Sequence, residues 1–502
     1  MRILFYSIQG LSPFHFGTEL EIMTHLQEEG HEVHVLACNQ ALDSCFFNPC
    51  HNLLGCAICQ GRTDTFLKKI GIPAARIHYL TPSSAEEPQS GLSFRDLDEL
   101  LRLEVDGLEI GRGVASSAIS TFRDYQLTDQ AGKSEYLAVQ WRMARQVLRD
   151  FSRLAEQLQP DRVYLFNGRF AEYFPLVEYC RKHGIDYVTH ERGSTYQSYA
   201  LYPNSLPHSI TVRQQRIAER WAAAEPEARE RTGRAWFTRR RKGVLPDAKN
   251  FARELTAGTM PEGFDPARIN VAIFNSSEDE MKAIGEWQTP LYRHQNEAIR
   301  NILEGFRDCP GVHFYLRMHP NLRGVDNVQT RELYELDYPY LTLIRPEERI
   351  DTYALLEGCD KTISFGSTVG IEATFWGRPS ILFGKAFYDQ MDAVYRPQSV
   401  QELAGLVLDP GLPPKPQVRT LPYGYFLSTF GRPFRYFHYR DKHRAQFMGK
   451  PMRRIHAATF WRFLQYLPRL GWWNRMNRLI FGRSMTWRDI FKLKSHTVEK
   501  IG

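Results

Sequence analysis

A chain of 502 residues is too long for one ordinary hydrophobic core, so two domains plus an appendage are expected. Its composition, 43% hydrophobic and 24% charged, is that of a soluble globular protein, and no apolar run approaches the roughly 18 residues of a transmembrane helix. The net charge of +7 conceals an asymmetry: residues 431–494 hold sixteen Lys/Arg against two acids, a net +14, so the remainder sums to −7.

The N-terminus, MRILFYSIQG, reads as a strand and a turn. It lacks the charged start, long apolar middle and small-residue cleavage site of a signal peptide, which makes a cytoplasmic location the expectation. GTELEIMTHLQEEG follows as an amphipathic helix stopped by Gly30, and HEVHVLAC as a second strand. This β-α-β opening predicts a parallel sheet. A long helical stretch around KSEYLAVQWRMARQVLRDFSRLAEQLQ ends before Pro160. Then come the strand DRVYLFNGR, the helix FPLVEYCRKHG and the strand IDYVTHERG. Residues 205–262 are charged and helical, with GTMPEGFDPAR as a linker. A second alternating series begins at INVAIFNSS and runs through VHFYLRMHP, LTLIRP, DTYALLEGC, KTISFGS, TVGIEATFWG and PSILFG. After Pro410 the pattern gives way to Pro-, Tyr- and Arg-rich sequence. The boundaries predicted are therefore 1–262, 263–410 and 411–502, with the carboxyl ends of two sheets on a shared cleft.

In the second series, Gly366 allows a sharp turn after a strand, and Ser367 and Thr368 fall at the start of the next helix. Backbone N–H groups, the helix dipole and two hydroxyls suit a phosphate. Glu372, one turn along, is placed for a ribose diol. RMHPN ends another strand, so Arg317 and His319 would lie near the same sheet edge and neutralise a leaving phosphate. Ser276 and Ser277, in IFNSSEDE, either touch the phosphates or form a turn.

The pairing of Arg317, His319 and Pro320 with Asp360, Ser364, Gly366, Ser367, Gly370, Glu372, Ala373, Gly377 and Pro379 resembles bacterial capsule and surface polysaccharide biosynthesis glycosyltransferases. The likeness covers roughly residues 270–385 well and the N-terminal half loosely. It implies the α/β fold called GT-B: two Rossmann-like, doubly wound domains facing a cleft. It also implies a donor site for a nucleotide sugar, UDP- or CMP-linked, built from Ser276, Arg317, His319, Gly366, Ser367, Thr368, Gly370 and Glu372. Inversion at a sugar carbon needs a general base. His15, Glu19 and Glu191 are the candidates, although Glu19 reads equally as a first-turn acid and Glu191 as the partner of a structural arginine. Transfer to a surface polysaccharide or its lipid-linked precursor is the expected activity, with no cofactor for catalysis. A nucleotide-sugar 2-epimerase, a polyol-phosphate transferase and a non-catalytic assembly factor remain rivals.

Two features stand outside that reading. Five cysteines crowd the first 60 residues, and Cys56 and Cys59 have C-x-x-C spacing. With Cys45 and one of Cys38, Cys50 or His51 in the loop 38–59, Cys38 being the one chosen, they would complete a structural zinc site, with an iron–sulfur cluster or plain reduced thiols as alternatives. The basic C-terminal extension mixes Arg with Trp, Phe and Tyr. It predicts an anionic membrane surface as partner for residues 431–494, rather than nucleic acid, and hence a peripheral protein at the inner face of the bacterial plasma membrane. That segment could also pack back on the domains.

Overall fold

The computed structural model describes residues 1–82, 92–128, 131–245, 255–453 and 456–466. The chain divides into two compact units. One holds residues 1–122 and 126–207 and the C-terminal segment from Gly431; the other holds residues 123–125 and 208–430. The strands are, in chain order, β1 (Arg2–Ser7), β2 (Glu32–Ala37), β3 (Ile77–Tyr79), the ribbon β4 (Glu104–Val105) and β5 (Leu108–Glu109), β6 (Arg162–Phe166), β7 (Asp186–Arg192) and β8 (Ser198–Pro203). The second unit carries β9 (Ile269–Phe274), β10 (Val312–Arg317), β11 (Leu341–Ile344), β12 (Lys361–Ser364) and β13 (Ser380–Leu382). The chain then returns to the first unit with β14 (Arg432–Pro433), β15 (Phe437–Tyr439), β16 (Ala445–Phe447) and β17 (Lys450–Pro451).

The first sheet runs β14-β8-β7-β6-β1-β2-β3. It is parallel from β3 through β7, and β8 and β14 are antiparallel. β1 sits inside it and is buried from Ile3 to Ser7, which is why RILFYS reads as a continuous apolar run rather than an alternating one. The second sheet, β11-β10-β9-β12-β13, is parallel throughout. Along β9, Val271 and Ile273 face a core with Ile299, Ile302 and Leu303 of the helix Gln295–Gly305. The alternate residues Ala272 and Phe274 join Tyr315, Ile344 and Leu355 on the other side.

The unit boundaries differ from those expected from sequence. The helices Ile210–Ala222 and Pro226–Arg241 belong to the second unit, because Ile217, Trp236 and Phe237 are buried with Ile371, Phe375 and Leu421. Phe237 stacks on Phe375 at 4.1 Å. The stretch from Leu53, read as the second half of a Cys-rich loop, is a helix to Lys69. Among the described residues, the segment after Pro410 is structured as well. It forms the helix Leu421–Thr429, and beyond Gly431 it supplies an edge strand, the three-stranded sheet β15-β16-β17 and the helix Ala457–Tyr466.

One side chain pins this C-terminal return. Glu21, fully buried on the helix Pro13–Glu28, accepts the backbone N–H groups of Arg435, Tyr436 and Phe437 at 2.7, 2.9 and 2.9 Å. Beside it the Phe437 ring fills the space where a Cβ on Gly17 would stand, 2.3 Å away, so Gly17 serves packing rather than ligand approach. Glu21→Ala strands three backbone donors, of which the buried Phe437 N–H costs roughly 1–3 kcal/mol and the part-buried Arg435 and Tyr436 N–H groups less. It is expected to lower stability by several kcal/mol and to expose residues 432–453 to limited proteolysis. Wild-type cleavage and an unchanged melting temperature would show that Glu21 is no pin.

Candidate functional site

In the second unit the adjacent strands β10, β9 and β12 end on one edge of the sheet. They are followed by the polar segments 318–321, 275–279 and 365–368. From β9 the chain winds outward through β10 to β11, then crosses back to β12 on the other flank. Such a switch point opens a crevice at the carboxyl ends of the strands, where ligands bind open α/β sheets.

The three segments are tied together. Asn275 Oδ1 accepts the His319 backbone N–H at 2.8 Å. Ser276 donates its N–H to Gln295 Oε1 at 3.0 Å, and its Oγ accepts from Gln295 Nε2 at 2.8 Å. Gln329 Nε2 donates to its carbonyl at 2.9 Å. A Cβ on Gly366 would stand 4.0 Å from Ser276 Oγ and 2.8 Å from the Lys385 carbonyl, and φ is +131° there, so only glycine fits. His319 Nδ1 accepts the Asn321 N–H at 3.2 Å, which leaves the proton of the neutral ring on Nε2.

Several residues assigned to the nucleotide from sequence do other work. Arg317 is buried at the end of β10, and its Nη1 donates to the carbonyls of Arg345 and Glu348 at 3.3 and 3.0 Å. Its Nε and Nη2 meet no hydrogen-bond partner among the described residues, and burial pulls its pKa down from the ordinary arginine value. Gly370 is a packing glycine, since a Cβ would come within 2.3 Å of Ser364 Oγ and 2.4 Å of the Tyr388 hydroxyl. Glu372 is 1% exposed, with Oε1 accepting from Arg240 Nε at 2.9 Å and Oε2 from the Tyr353 hydroxyl at 2.5 Å. Arg240 also donates from Nη2 to Thr368 Oγ1 at 3.1 Å, so the glutamate holds an arginine beside the GST turn rather than facing a ribose. Sequence reading missed Arg240, which stands in a run of four basic residues on another helix. Ser367 Oγ accepts the Val369 N–H at 3.3 Å and its carbonyl accepts the Tyr388 hydroxyl at 2.5 Å. Ser277 and Asp279 bind Arg123, whose Nη2 donates to Ser277 Oγ at 2.8 Å and whose Nε donates to Asp279 Oδ2 at 2.5 Å. Asp360 stands at the opposite, amino edge of the sheet, accepting the Asn270 N–H at 2.8 Å.

In the first unit the carboxyl ends of β1, β6 and β7 carry the predicted base candidates. Glu19 is fully buried in the second turn of a helix that starts at Pro13, so it is not the first-turn acid that sequence allowed. Thr18 lies inside that helix and donates to the Phe14 carbonyl instead of capping. Glu19 accepts from Ser7 Oγ at 2.5 Å and Gln9 Nε2 at 2.6 Å, and lies 3.5 Å from His190 Nε2. Glu191, only half-buried, accepts from Asn167 Nδ2 at 2.7 Å, and Asn167 adopts φ of +54° at the end of β6. The His15 ring lies 4.4 Å from that of Phe166 and 5.3 Å from that of Phe47. Burial lowers its pKa from 6.5 to about 4, with the Glu191 charge acting in the opposite sense, so the ring is neutral at neutral pH.

Cys38, Cys45, Cys56 and Cys59 line one cavity with Ile8, Leu11 and His51. None of the eight cysteines forms a disulfide, and burial raises Cys38, Cys45 and Cys59, the last to about 12. Among the described residues no three His, Cys, Asp or Glu side chains group as a single metal ion requires, so one zinc does not fit the thiols as they stand. No helix among the described residues is long and apolar enough to cross a membrane. In the basic segment, Phe434, Phe437 and Phe447 pack in the first unit's core. Phe460 and Trp461, by contrast, are 59% and 67% exposed. Residues 467–494 of that segment lie outside the described residues.

Residues 290–395 match the family model of capsule polysaccharide biosynthesis proteins. No curated protein matches the chain. Among solved structures, a KpsC β-Kdo 2,4 transferase from Thermosulfurimonas dismutans is 15% identical, with 61% of this chain and 92% of that one covered and a TM-score of 0.37. A UDP-GlcNAc 2-epimerase from Neisseria meningitidis bound to UDP-GlcNAc is 12% identical, over 85% and 97% of the two chains, with a TM-score of 0.27. The Streptomyces sp. SF2575 glycosyltransferase SsfS6, complexed with thymidine diphosphate, is 12% identical over 86% and 96%, with a TM-score of 0.24.

Proposed function

We propose that the chain is a glycosyltransferase of the two-domain GT-B class that moves a sugar from a nucleotide donor to a surface polysaccharide or its lipid-linked precursor. The observation that carries this reading is the convergence of Ser276, His319 and the turn 366–368 at the switch point of the second sheet. His319 and the turn lie inside the stretch that matches the capsule family. The donor would be UDP- or CMP-linked. His319 Nε2–H, Ser276 Oγ and the backbone of Gly366–Thr368 would face its phosphates, with Arg240 beside Thr368 supplying positive charge.

On the acceptor side, neutral His15 would take the proton of the attacking hydroxyl. As that oxygen bonds to the anomeric carbon, the nucleotide leaves with the electron pair of the broken bond. Glu191 then stabilises the imidazolium. The charge on the leaving group is met in this reading by His319 and Arg240 rather than by a metal, and the outcome is inversion. A lipid-linked acceptor would place the protein at a membrane surface, with the exposed Phe460 and Trp461 and the basic segment as contacts.

The test is a thermal-shift panel of UDP, CMP, CDP, GDP and their sugars against the wild type, Ser276→Ala and His319→Ala. A binder at 100 times its Kd adds about 2.7 kcal/mol. One nucleotide family should stabilise the wild type, and both variants should lose the shift while keeping the melting temperature of the unliganded protein. Stabilisation by none overturns the reading. Conversion of a nucleotide sugar without an acceptor replaces transfer by epimerisation.

A further inference from the structure

We propose that a groove in the second unit binds a neutral stretch of oligosaccharide, at a site separate from the donor crevice. The groove measures about 580 Å³, inside the ~300–1,000 Å³ of sites that enclose small-molecule ligands. Its walls come from the end of the helix Pro226–Arg241, the helix Thr352–Gly358 with its cap Asp351, Trp376 at the end of the helix Val369–Phe375, and the segment 255–258. Ser276, His319 and Gly366 of the donor crevice do not line it. The role such a site would have, holding the growing glycan on the enzyme between transfers, rests on the proposed transferase activity. The groove and the class of ligand it suits do not.

The lining selects an uncharged ligand. Arg241 and Lys242 are matched by Asp351 and Glu357, so cations and carboxylates balance and an ionic ligand meets no net counter-charge. Much of that charge is already paired within the wall. Arg241 donates from Nη1 and Nη2 to the two oxygens of Glu357 at 2.5 and 2.9 Å. Asp351 Oδ2 accepts the Gly258 N–H at 2.8 Å, and its Oδ1 accepts the Tyr353 N–H at 2.9 Å. Single donors and acceptors are left over. Arg241 keeps its Nε–H and one N–H on each Nη, each Glu357 oxygen keeps a lone pair, and the exposed Lys242 amine has no partner among the described residues. Hydroxyl groups, which both donate and accept, fit such a set.

The polar groups are held in advance, and apolar surface lies beside them. The Arg241 guanidinium stands 4.8 Å from the centre of the Trp376 ring and 5.3 Å from that of Tyr353. With Glu357 on its fork and two rings against its plane, it has little freedom left to lose on binding. Trp376 is half-buried, so part of its indole is open to the C–H face of a sugar ring. Tyr353 also ties the groove to the donor turn. Its hydroxyl donates to Glu372, which holds Arg240 beside Thr368. Substitutions that test the groove are therefore placed away from Tyr353 and Arg240.

The full chain is titrated with maltohexaose, chitohexaose and the acidic hexamer of galacturonic acid, and binding is read by saturation-transfer NMR. At least one neutral hexamer should bind and the acidic one should not. Glu357→Ala should weaken that binding about tenfold or more, since it removes a charged acceptor and frees the Arg241 fork. The Arg241–Glu357 pair is 35% and 42% exposed, so the fold tolerates its loss, and circular dichroism checks this. Ser276→Ala, at the donor crevice, should bind the hexamer as the wild type does, and saturating UDP or CMP should not displace it. Replacing residues 246–254 by a glycine–serine linker of equal length should also leave binding unchanged. No binding of either neutral hexamer, preference for the acidic one, displacement by a nucleotide, unaltered binding in Glu357→Ala, or loss in the linker variant each overturns the proposal. Failure of the transferase reading shows separately, as a chain that binds the hexamer and no nucleotide.

Discussion

Arg240→Ala should destabilise the second unit by about 3–5 kcal/mol, the cost of leaving a buried carboxylate without its counter-charge. Glu372 has a side chain only 2% exposed, and Arg240 is its ion partner at 2.9 Å. The remaining bond, from the Tyr353 hydroxyl, does not neutralise it. Glu372→Gln removes the charge and keeps a polar group of the same shape, so it should cost less, about 1–3 kcal/mol. The double variant should then be more stable than the sum of the two losses predicts, because the arginine no longer leaves a charge behind. Urea unfolding of the four proteins measures this coupling. The same proteins separate a structural role from a ligand role. A ribose-binding Glu372 would lower nucleotide affinity in Glu372→Gln at unchanged stability, and additive losses would show that the ion pair is not coupled.

That pair also marks where the sequence stopped being legible. The strands and most of the longer helices were readable because β-α alternation and apolar runs such as RILFYS, INVAIF and KTIS follow from burial on both faces of a parallel sheet. The edge at which Ser276, His319 and Gly366 meet was readable for the same reason, since each directly follows a recognisable strand. The partner of Glu372 was not, because Arg240 lies 132 positions away on a helix whose unit was itself misplaced. Glycine roles were equally hidden. Gly366 and Gly370 sit four positions apart in one motif, yet the first sits at the crevice with positive φ and the second makes room for a tyrosine hydroxyl. The C-terminal return was legible only as an alternative to a membrane contact, because its strands are two or three residues long and its anchor, Glu21, is more than 400 positions upstream. Local pattern does not encode such contacts.

Two groups in the first unit, the half-buried His15 and the fully buried Glu172, should give opposite pH dependences that hide one another in the wild type. Burial lowers His15 from 6.5 to about 4, against the charge of Glu191 and with those of His190 and Arg192. Between those values the unfolded chain binds a proton that the folded chain refuses. The His15 contribution therefore rises with pH, is complete above 6.5 and is lost toward pH 4. Glu172 is 1% exposed, and burial raises it from 4.5 to about 7 although its Oε1 accepts the Phe46 N–H at 2.7 Å. The folded chain now keeps a proton that the unfolded chain releases. Its contribution is complete below 4.5 and is lost as pH rises to 7. Each spans about 3 kcal/mol at ~1.4 kcal/mol per tenfold change in proton affinity, and from pH 4.5 to 6.5 the two slopes cancel. Glu172→Gln should unmask a stability that climbs with pH, and His15→Asn one that declines, in urea unfolding at half-unit intervals from pH 4 to 7.5. Identical profiles for both variants would refute the assignment. The outcome bears on transfer as well as on folding. In the proposed reading His15 is the general base, which works only while it is unprotonated, and the desolvation that makes the fold acid-sensitive at His15 is what keeps that imidazole neutral at neutral pH.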